Sequence, residues 1–291
     1  MLWQTGVEAK RLLLGQQLGA WRSGYVGIGY GSESVQDREH RFWAVLTIDG
    51  EKMMKNTIKK PIIGIISKNI TIEEFFGWSW QRVSNDVRYA INKCGALAMG
   101  IMPQTTRKIF NQQDEHEDVL MTEEEKNDLV SFVKMCDGIV LQGGISSHNY
   151  EEFVALYCYE NDIPLLGICA GYNNIIRGLG GKAEKIENID VHDRPDLTYA
   201  HGCKVVDENS LFAKIVKEKE FQVNSVHTYV GTVIPKTLSV VAFSDDGQVE
   251  VVEAKNKRFF IGVKYHPELL VDIDEKQNNI FCEFIKACKK K

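Results

Sequence analysis

The stretch Pro164-Leu165-Leu166-Gly167-Ile168-Cys169-Ala170-Gly171 constrains this chain more than any other. An apolar run of strand length stops at a cysteine held between small residues, and a helix is expected from about Tyr172. That is the layout of a nucleophile elbow, the sharp strand-to-helix turn whose hydroxyl form is Gly-x-Ser-x-Gly. Gly167 and Gly171 flank Cys169 at the same spacing, because bulk at either place would block the close strand–helix turn. A cysteine there faces a helix N-terminus, whose partial positive charge favours the thiolate. Taken alone, Gly-x-Cys-x-Gly fits a small buried cysteine in a glycine-rich strand end equally well.

The other end of the chain supplies a base. Residues 258–268 form an apolar strand pattern that ends in His266-Pro267-Glu268. Histidine is the usual base for a thiol, and a carboxylate two residues away can fix its tautomer and hold the imidazolium. Pro267 stiffens the turn, so that His266 and Glu268 can point to one side. Alone, His-Pro-Glu is a common surface turn. Together with the elbow it makes Cys169, His266 and Glu268 a candidate triad of nucleophile, base and orienter.

Gly-Ile-Cys-x-Gly followed by a C-terminal His-Pro-Glu resembles the class I glutamine amidotransferase superfamily. The segment Phe221 to His227 (Phe-Gln-Val-Asn-Ser-Val-His) is similar to the γ-glutamyl hydrolase branch, and in particular to the Val-Asn-Ser-Leu-His of γ-glutamyl-γ-aminobutyrate hydrolases. Residues 244–253 and 260–268 follow that branch as well, and the likeness runs from about residue 60 to the C-terminus. It implies an α/β fold of the flavodoxin-like type, a mainly parallel sheet flanked by helices, with antiparallel C-terminal strands. The implied chemistry is hydrolysis of γ-glutamyl amides through a γ-glutamyl thioester, with no cofactor and no metal.

From Lys60 onward the residues themselves alternate short apolar runs with amphipathic stretches, the pattern of a parallel sheet covered by helices. Strands are expected at 62–66, 96–102, 138–142 and 164–168, and helices at 83–93, 122–135 and 150–160. Thr122 with Glu125 three residues on reads as a capping box. From Ala200 the pattern turns to antiparallel strands, with Asp245-Asp246-Gly247 as a hairpin signal, and a helix from about Glu275 closes the chain. Residues 56–291 are therefore expected to form the hydrolase domain. Residues 1–55 lack a helical period, a phosphate-loop Lys-Ser or Lys-Thr and a long enough signal core. They read as an extension of unknown role, disordered or not native to the domain, with Met53-Met54 just before the first core strand.

The whole chain of 291 residues carries a formal charge of −5, with acid and base mixed along it. Nothing in that balance points to nucleic acid or an anionic membrane, and no run of about 18 apolar residues could span a bilayer. Seven cysteines, scattered and odd in number, fit reduced thiols in a cytoplasm better than a disulfide framework. The expected partner is a small γ-glutamyl substrate, and a homodimer is the assembly to test.

Acyl transfer also needs donors for the developing oxyanion. Gln142-Gly143-Gly144 ends the third expected strand, and glycines there let backbone N–H groups approach a carbonyl. The resemblance implies one donor from this loop, at Gly143 or Gly144, and another from the N–H of Ala170. It also implies that Asn173, Asn224, Ser225 and His227 contact substrate; His148, His192 and His201 read as structural or surface histidines. The chain departs from the family at several places. Gln142 stands where proline is usual, Ala170 where arginine is, and Asn173 where many members have glutamine. The loop after Gly144 lacks the longer acidic, tyrosine-containing segment of the γ-aminobutyrate branch, which leaves the choice of amine open.

Three rival readings remain. One is a glutamine amidotransferase subunit that delivers ammonia to a synthase partner. Another is a non-hydrolytic binding or regulatory member of the fold. The third is an intracellular cysteine peptidase, which would place its histidine where Ala170 stands.

Overall fold

The computed structural model of the protein describes residues 60–72, 78–105, 116–117, 121–145, 147–186 and 190–289. The reading of residues 1–55 as an extension lies outside these. In chain order the described residues form β1 (Ile62–Ile66), β2 (Lys68–Ile72), β3 (Trp78–Arg82), α1 (Asn85–Lys93), β4 (Leu97–Ile101), β5 (His116–Glu117), α2 (Glu123–Lys134), β6 (Gly138–Leu141), β7 (Ser147–His148), α3 (Asn149–Glu160), β8 (Leu165–Ile168), α4 (Ala170–Gly178), β9 (Lys182–Lys185), β10 (His201–Val205), α5 (Leu211–Val216), β11 (Glu220–Val223), β12 (Tyr229–Val233), β13 (Ser239–Ser244), β14 (Val249–Glu253), β15 (Phe260–Val263) and α6 (Glu275–Cys288).

Nine of these strands make one sheet, in the order β11-β10-β13-β14-β15-β8-β6-β1-β4. The pairs from β15 to β4 are parallel, and those from β15 through β14, β13 and β10 to β11 are antiparallel. Counted along the chain, the parallel strands run 2-1-3-4-5, the flavodoxin-like order, in which ligands bind at the carboxyl ends of the strands. The expected fold class is the one observed.

Alternation along the strands sends side chains to two cores. Ile63, Ile65 and Val140 face a cluster that takes in Val87 and Ile91 of α1, Phe212 of α5 and Phe281 and Phe284 of α6. Ile66, Ile139 and Leu141 face the other, with Leu129 and Val133 of α2, Val154 of α3 and Ile175 of α4. The result is three layers, helix on sheet on helix. Each fully buried Ile or Phe among these contributes about 1.5–3 kcal/mol of burial free energy, before the cost of ordering it.

Local signals placed several boundaries well. The Thr122–Glu125 capping box forms with both of its hydrogen bonds, and α2 starts at Glu123. Ser84 caps α1, which starts at Asn85, two residues later than the expected start at Val83. The turn at Gly247, in the left-handed region with φ of 86°, joins β13 to β14 as expected. α4 begins at Ala170 rather than near Tyr172, because the elbow has no linker: Cys169 is itself the residue before the first helical turn. The β2–β3 hairpin and the short strands β5, β7, β9 and β12 carry no clear signal in the sequence; these lie outside the main sheet.

One expectation is corrected. Cys94, at the end of α1, and Cys282, in α6, form a disulfide, their Cα atoms 5.0 Å apart. The seven thiols are therefore not all reduced. The two helices meet on one face of the sheet, a pairing that a separation of 188 residues hides from any spacing argument. Among the described residues, no helix is long and apolar enough to cross a membrane.

Candidate active site

The carboxyl end of β8 delivers Cys169 into a strained turn, with φ of 51° and ψ of −102°. A non-glycine residue in that conformation persists only where its surroundings hold it there. Both flanking glycines are required. A Cβ on Gly167 would lie 2.8 Å from the carbonyl of Gly171, and one on Gly171 would collide with the carbonyl of Leu141 in β6. Strand and helix therefore fold back on each other with no room for a side chain. The elbow cysteine is buried, with 6 % of its surface exposed, rather than open to solvent as the hydroxyl analogy suggests.

β15 lies parallel beside β8, with Ile168 opposite Val263 and the Cys169 N–H donating to the Val263 carbonyl at 2.9 Å. That register puts the continuation of β15, Lys264 to His266, next to the elbow. Pro267 opens a short 3-10 turn over Pro267–Leu269, and the turn aims Glu268 back at the ring. His266 Nδ1 and Glu268 Oε1 are 2.7 Å apart. Nε2 is then the ring nitrogen left for the thiol.

The charges agree with the geometry. Burial pushes the Cys169 thiol up, but the charges of His266 and Lys264 and a hydrogen bond to His266 outweigh it and bring the thiol down to about 6. Burial pushes His266 down, while the charges of Glu268 and Cys169 raise it well above the ordinary imidazole value. A thiolate beside an imidazolium is the state both shifts favour.

A cavity of about 290 Å³ opens over this group, and Cys169, Ala170, His266, Gly144, Asn173 and His227 are among its lining residues. Gly143 lies just beneath: a Cβ there would come within 2.5 Å of His266 Cε1 and 3.4 Å of the Cys169 Cβ. Ala170 is the first residue of α4, where helix geometry leaves the N–H without an intrahelical partner. The loop at 143–144 and the N-terminus of α4 thus border the thiol from two sides.

The residues expected to contact substrate divide. Asn173 lines the cavity and accepts a hydrogen bond from Lys264 Nζ at 3.0 Å. His227 lines it too. Asn224 and Ser225 are not among the lining residues. The Asn224 amide donates to the His266 carbonyl and accepts from the His266 N–H, both at 2.8 Å, so it grips the backbone of that residue. Ser225 Oγ donates to the His192 carbonyl at 2.7 Å and is fully buried. His148, His192 and His201 are all buried, so the surface reading of them is corrected.

Three further residues belong to the site and were not singled out by sequence. Lys264 is wholly buried, and burial lowers its pKa although Cys169 and Glu250 pull it up. A lysine inside the otherwise apolar Phe259–Tyr265 run, two residues before His266, was the signal available. Arg82 and Asp193 reach the cavity from β3 and from the loop before β10. Gln142, where the family has proline, donates to the carbonyls of Ile66 and Arg82, both at 2.9 Å, and accepts from the Ser84 N–H at 2.6 Å. It ties the end of β6 to the segment that carries Arg82.

A flavodoxin-like sheet with a cysteine at the elbow and a His-Pro-Glu turn beside it defines a class I glutamine amidotransferase-like domain. The Peptidase C26 family model matches residues 61–268, and the chain belongs to that family. Over 141 residues it is 33% identical to gamma-glutamyl-gamma-aminobutyrate hydrolase PuuD of Escherichia coli (strain K12), a match covering 45% of this chain and 56% of the relative. The chain thus spans little more than half the length of that relative. It is also 30% identical over 156 residues to a glutamine-hydrolyzing GMP synthase subunit of Methanococcus aeolicus, covering 53% of this chain and 76% of the other. Among solved structures, the glutaminase domain of Trypanosoma brucei CTPS, determined with bound acivicin, superposes with a TM-score of 0.54 at 18% identity, covering 80% of this chain and 95% of that one. That likeness speaks for the fold alone.

Proposed function

We propose that this domain hydrolyses γ-glutamyl amides, with Cys169 as nucleophile, His266 as acid and base, and Glu268 as the group that orients His266. The observation that carries the reading is the buried thiol, lowered to about 6 beside His266, at the floor of a cavity that also holds Arg82, Lys264 and Asp193. Two cations and one carboxylate suit the two ends of an amino acid: Arg82 and Lys264 for the α-carboxylate, Asp193 for the α-ammonium. The cavity is at the small end for ligand sites, which fits a small amide better than a protein segment.

In this mechanism the Cys169 thiolate attacks the δ-carbon of the γ-glutamyl amide. The developing oxyanion is met by the N–H of Ala170 and an N–H of the Gly143–Gly144 loop. His266, as imidazolium, gives its proton to the leaving amine as the C–N bond breaks, leaving a γ-glutamyl thioester and a neutral imidazole. Imidazole then takes a proton from water, whose hydroxide displaces the thiolate and releases glutamate. None of these steps uses a cofactor. A cytoplasmic location belongs to the same proposal; there the Cys94–Cys282 bond would meet a reducing environment.

A second reading, glutaminase action for a synthase partner, draws support from the likeness to the GMP synthase relative. The loop after Gly144 separates the two. It runs through Ile145, which is exposed at the cavity mouth, into the two residues of β7 and then α3. A short wall there leaves room for an amine larger than ammonia. Glutamine offers only ammonia on that side, so binding energy from the amine is missing in the transition state. The test compares kcat/KM for glutamine with that for γ-glutamyl-γ-aminobutyrate and a γ-glutamyl peptide. The hydrolase reading expects glutamine to be the poorest; a preference for glutamine that grows when a partner protein is added would overturn it.

A further inference from the structure

Behind the cavity, four buried side chains from four separate segments converge: His192 from the loop before β10, His201 from β10, His227 after β11, and Glu250 from β14. One ligand atom from each lies within 4.8 Å of every other. His201 Nε2 and His227 Nε2 each stand 3.8 Å from Glu250 Oε1, beyond hydrogen-bond reach. The inward atoms have no partner: His192 Nδ1, His201 Nε2, both ring nitrogens of His227 and both oxygens of Glu250 are buried and unpaired. Buried polar atoms left without partners carry an uncompensated desolvation cost, which a bound cation would relieve. The γ-glutamyl chemistry uses none of His192, His201 and Glu250.

The outward atoms are engaged. His192 Nε2 lies 2.9 Å from Asp246 Oδ2, and His201 Nδ1 lies 3.0 Å from the Gly202 carbonyl. A carboxylate or carbonyl on the far nitrogen of a histidine is what orients the ring and raises its basicity when the near nitrogen binds a metal. His192 is also fixed through its own carbonyl, which accepts from Ser225 Oγ at 2.7 Å and from the His227 N–H at 2.9 Å.

We propose that His192, His201, His227 and Glu250 form a closed site for one divalent transition-metal ion, and that the ion is Zn²⁺. Three imidazoles and one carboxylate make a donor set suited to zinc, and four protein ligands leave no open position, as in sites that hold a fold together. Zn–N and Zn–O bonds of about 2.0–2.2 Å put tetrahedral ligands roughly 3.3 Å apart, so side-chain rotations must draw the ligand atoms together from the 3.8 Å of the two Glu250 pairs and from separations of up to 4.8 Å across the set. Neutral imidazoles with one carboxylate leave the ion with a single net positive charge. Its place in the fold gives it a task. The site pins the antiparallel half of the sheet to the segment Val226–His227, where the Val226 carbonyl lies 3.7 Å from Cys169 Sγ and His227 lines the cavity. The metal would fix that wall of the cavity. This site stands whether or not the γ-glutamyl reading does.

The test uses the full chain carrying Cys169→Ala, so that the reactive thiol cannot supply a ligand. The protein is stripped with a chelator, titrated with Zn²⁺ alone, and assayed for bound metal by mass spectrometry. Co²⁺ is titrated in parallel for its visible spectrum. The expected result is about one zinc per chain, the intense absorption of four-coordinate cobalt, and a Tm that rises on loading. In the same background, His201→Gln and Glu250→Gln should each weaken uptake by at least about tenfold while the circular dichroism stays that of the parent. Should neither variant fold, the parent's stoichiometry and cobalt spectrum decide. Less than a tenth of an equivalent of zinc, a weak six-coordinate cobalt spectrum, or equal uptake by folded variants would overturn the proposal.

Discussion

Asn224 and His266, 42 residues apart in the chain, exchange two hydrogen bonds of 2.8 Å, the amide of one closing on the N–H and C=O of the other. The grip fixes the backbone from which the imidazole projects, while Glu268 fixes the ring. Asn224→Ala removes both bonds and leaves the reacting groups in place but less well held. Misplacement on the scale of 1 Å costs about 10²-fold in rate. The expected outcome is a fall in kcat of that order with KM little changed, read from steady-state kinetics on a γ-glutamyl amide. A rise in KM alone would show Asn224 touching substrate instead.

Cys169→Ala should abolish hydrolysis and leave the fold intact, since alanine keeps the Cβ and removes only the sulfur that faces the cavity. Iodoacetamide should modify Cys169 well ahead of the other free cysteines. Burial raises the thiol of Cys136 to about 11, and burial raises those of Cys158, Cys203 and Cys288 as well. Peptide mapping after brief labelling at neutral pH checks this; equal rates at all five free thiols would refute an activated Cys169.

The pH dependence follows from the two shifts. Cys169 is lowered, so its contribution to stability is complete above the ordinary thiol pKa and is lost as pH falls through about 6. His266 is raised, so its contribution is complete below the ordinary imidazole pKa and is lost as pH rises through its raised value. The ion pair therefore persists from about pH 6 up to that raised value. Alkylation of Cys169 should rise with a midpoint near pH 6, and His266→Ala should move the midpoint up toward about 8.5, the value of a free thiol. A midpoint unmoved by that change would assign the low thiol to Lys264 alone.

His266→Ala should lower kcat by about 10²–10⁴-fold, the range for a general acid–base group. Glu268→Gln should lose less, because an amide still holds the ring while stabilising the imidazolium poorly. Parallel kinetics on the two variants decide it. Full activity in Glu268→Gln would send the search for an orienting group elsewhere.

Gly171→Ala tests the elbow through stability. The added methyl group meets the Leu141 carbonyl at the end of β6, where α4 packs on the neighbouring strand, and overpacking of this kind costs about 1–3 kcal/mol or more. Urea denaturation should show a lower midpoint with an unchanged slope. An unchanged midpoint would mean that helix and strand can separate at no cost.

What was legible along the chain is what depends on neighbours along the chain. Gly-Ile-Cys-Ala-Gly specified the elbow because Gly167 closes on the Gly171 carbonyl only four residues on, and Thr122 with Glu125 specified a helix start over the same short range; that Gly171 must also clear the Leu141 carbonyl of β6 was set by tertiary packing. The apolar runs at 62–66, 138–142 and 164–168 specified buried parallel strands. Which side chains meet across the fold was settled by tertiary packing. Asn224 reads as a substrate contact until β11 brings it to the backbone of His266. Lys264, not singled out along the chain, enters the site only through its burial beside Cys169. The pairing of Cys94 with Cys282, and the convergence of His192, His201, His227 and Glu250, join positions separated by 9 to 188 residues. The physical reason is the range of the signal: backbone propensity and capping act within one turn or strand, whereas a side chain's packing, electrostatic and hydrogen-bonding partners are chosen by strand order and helix packing.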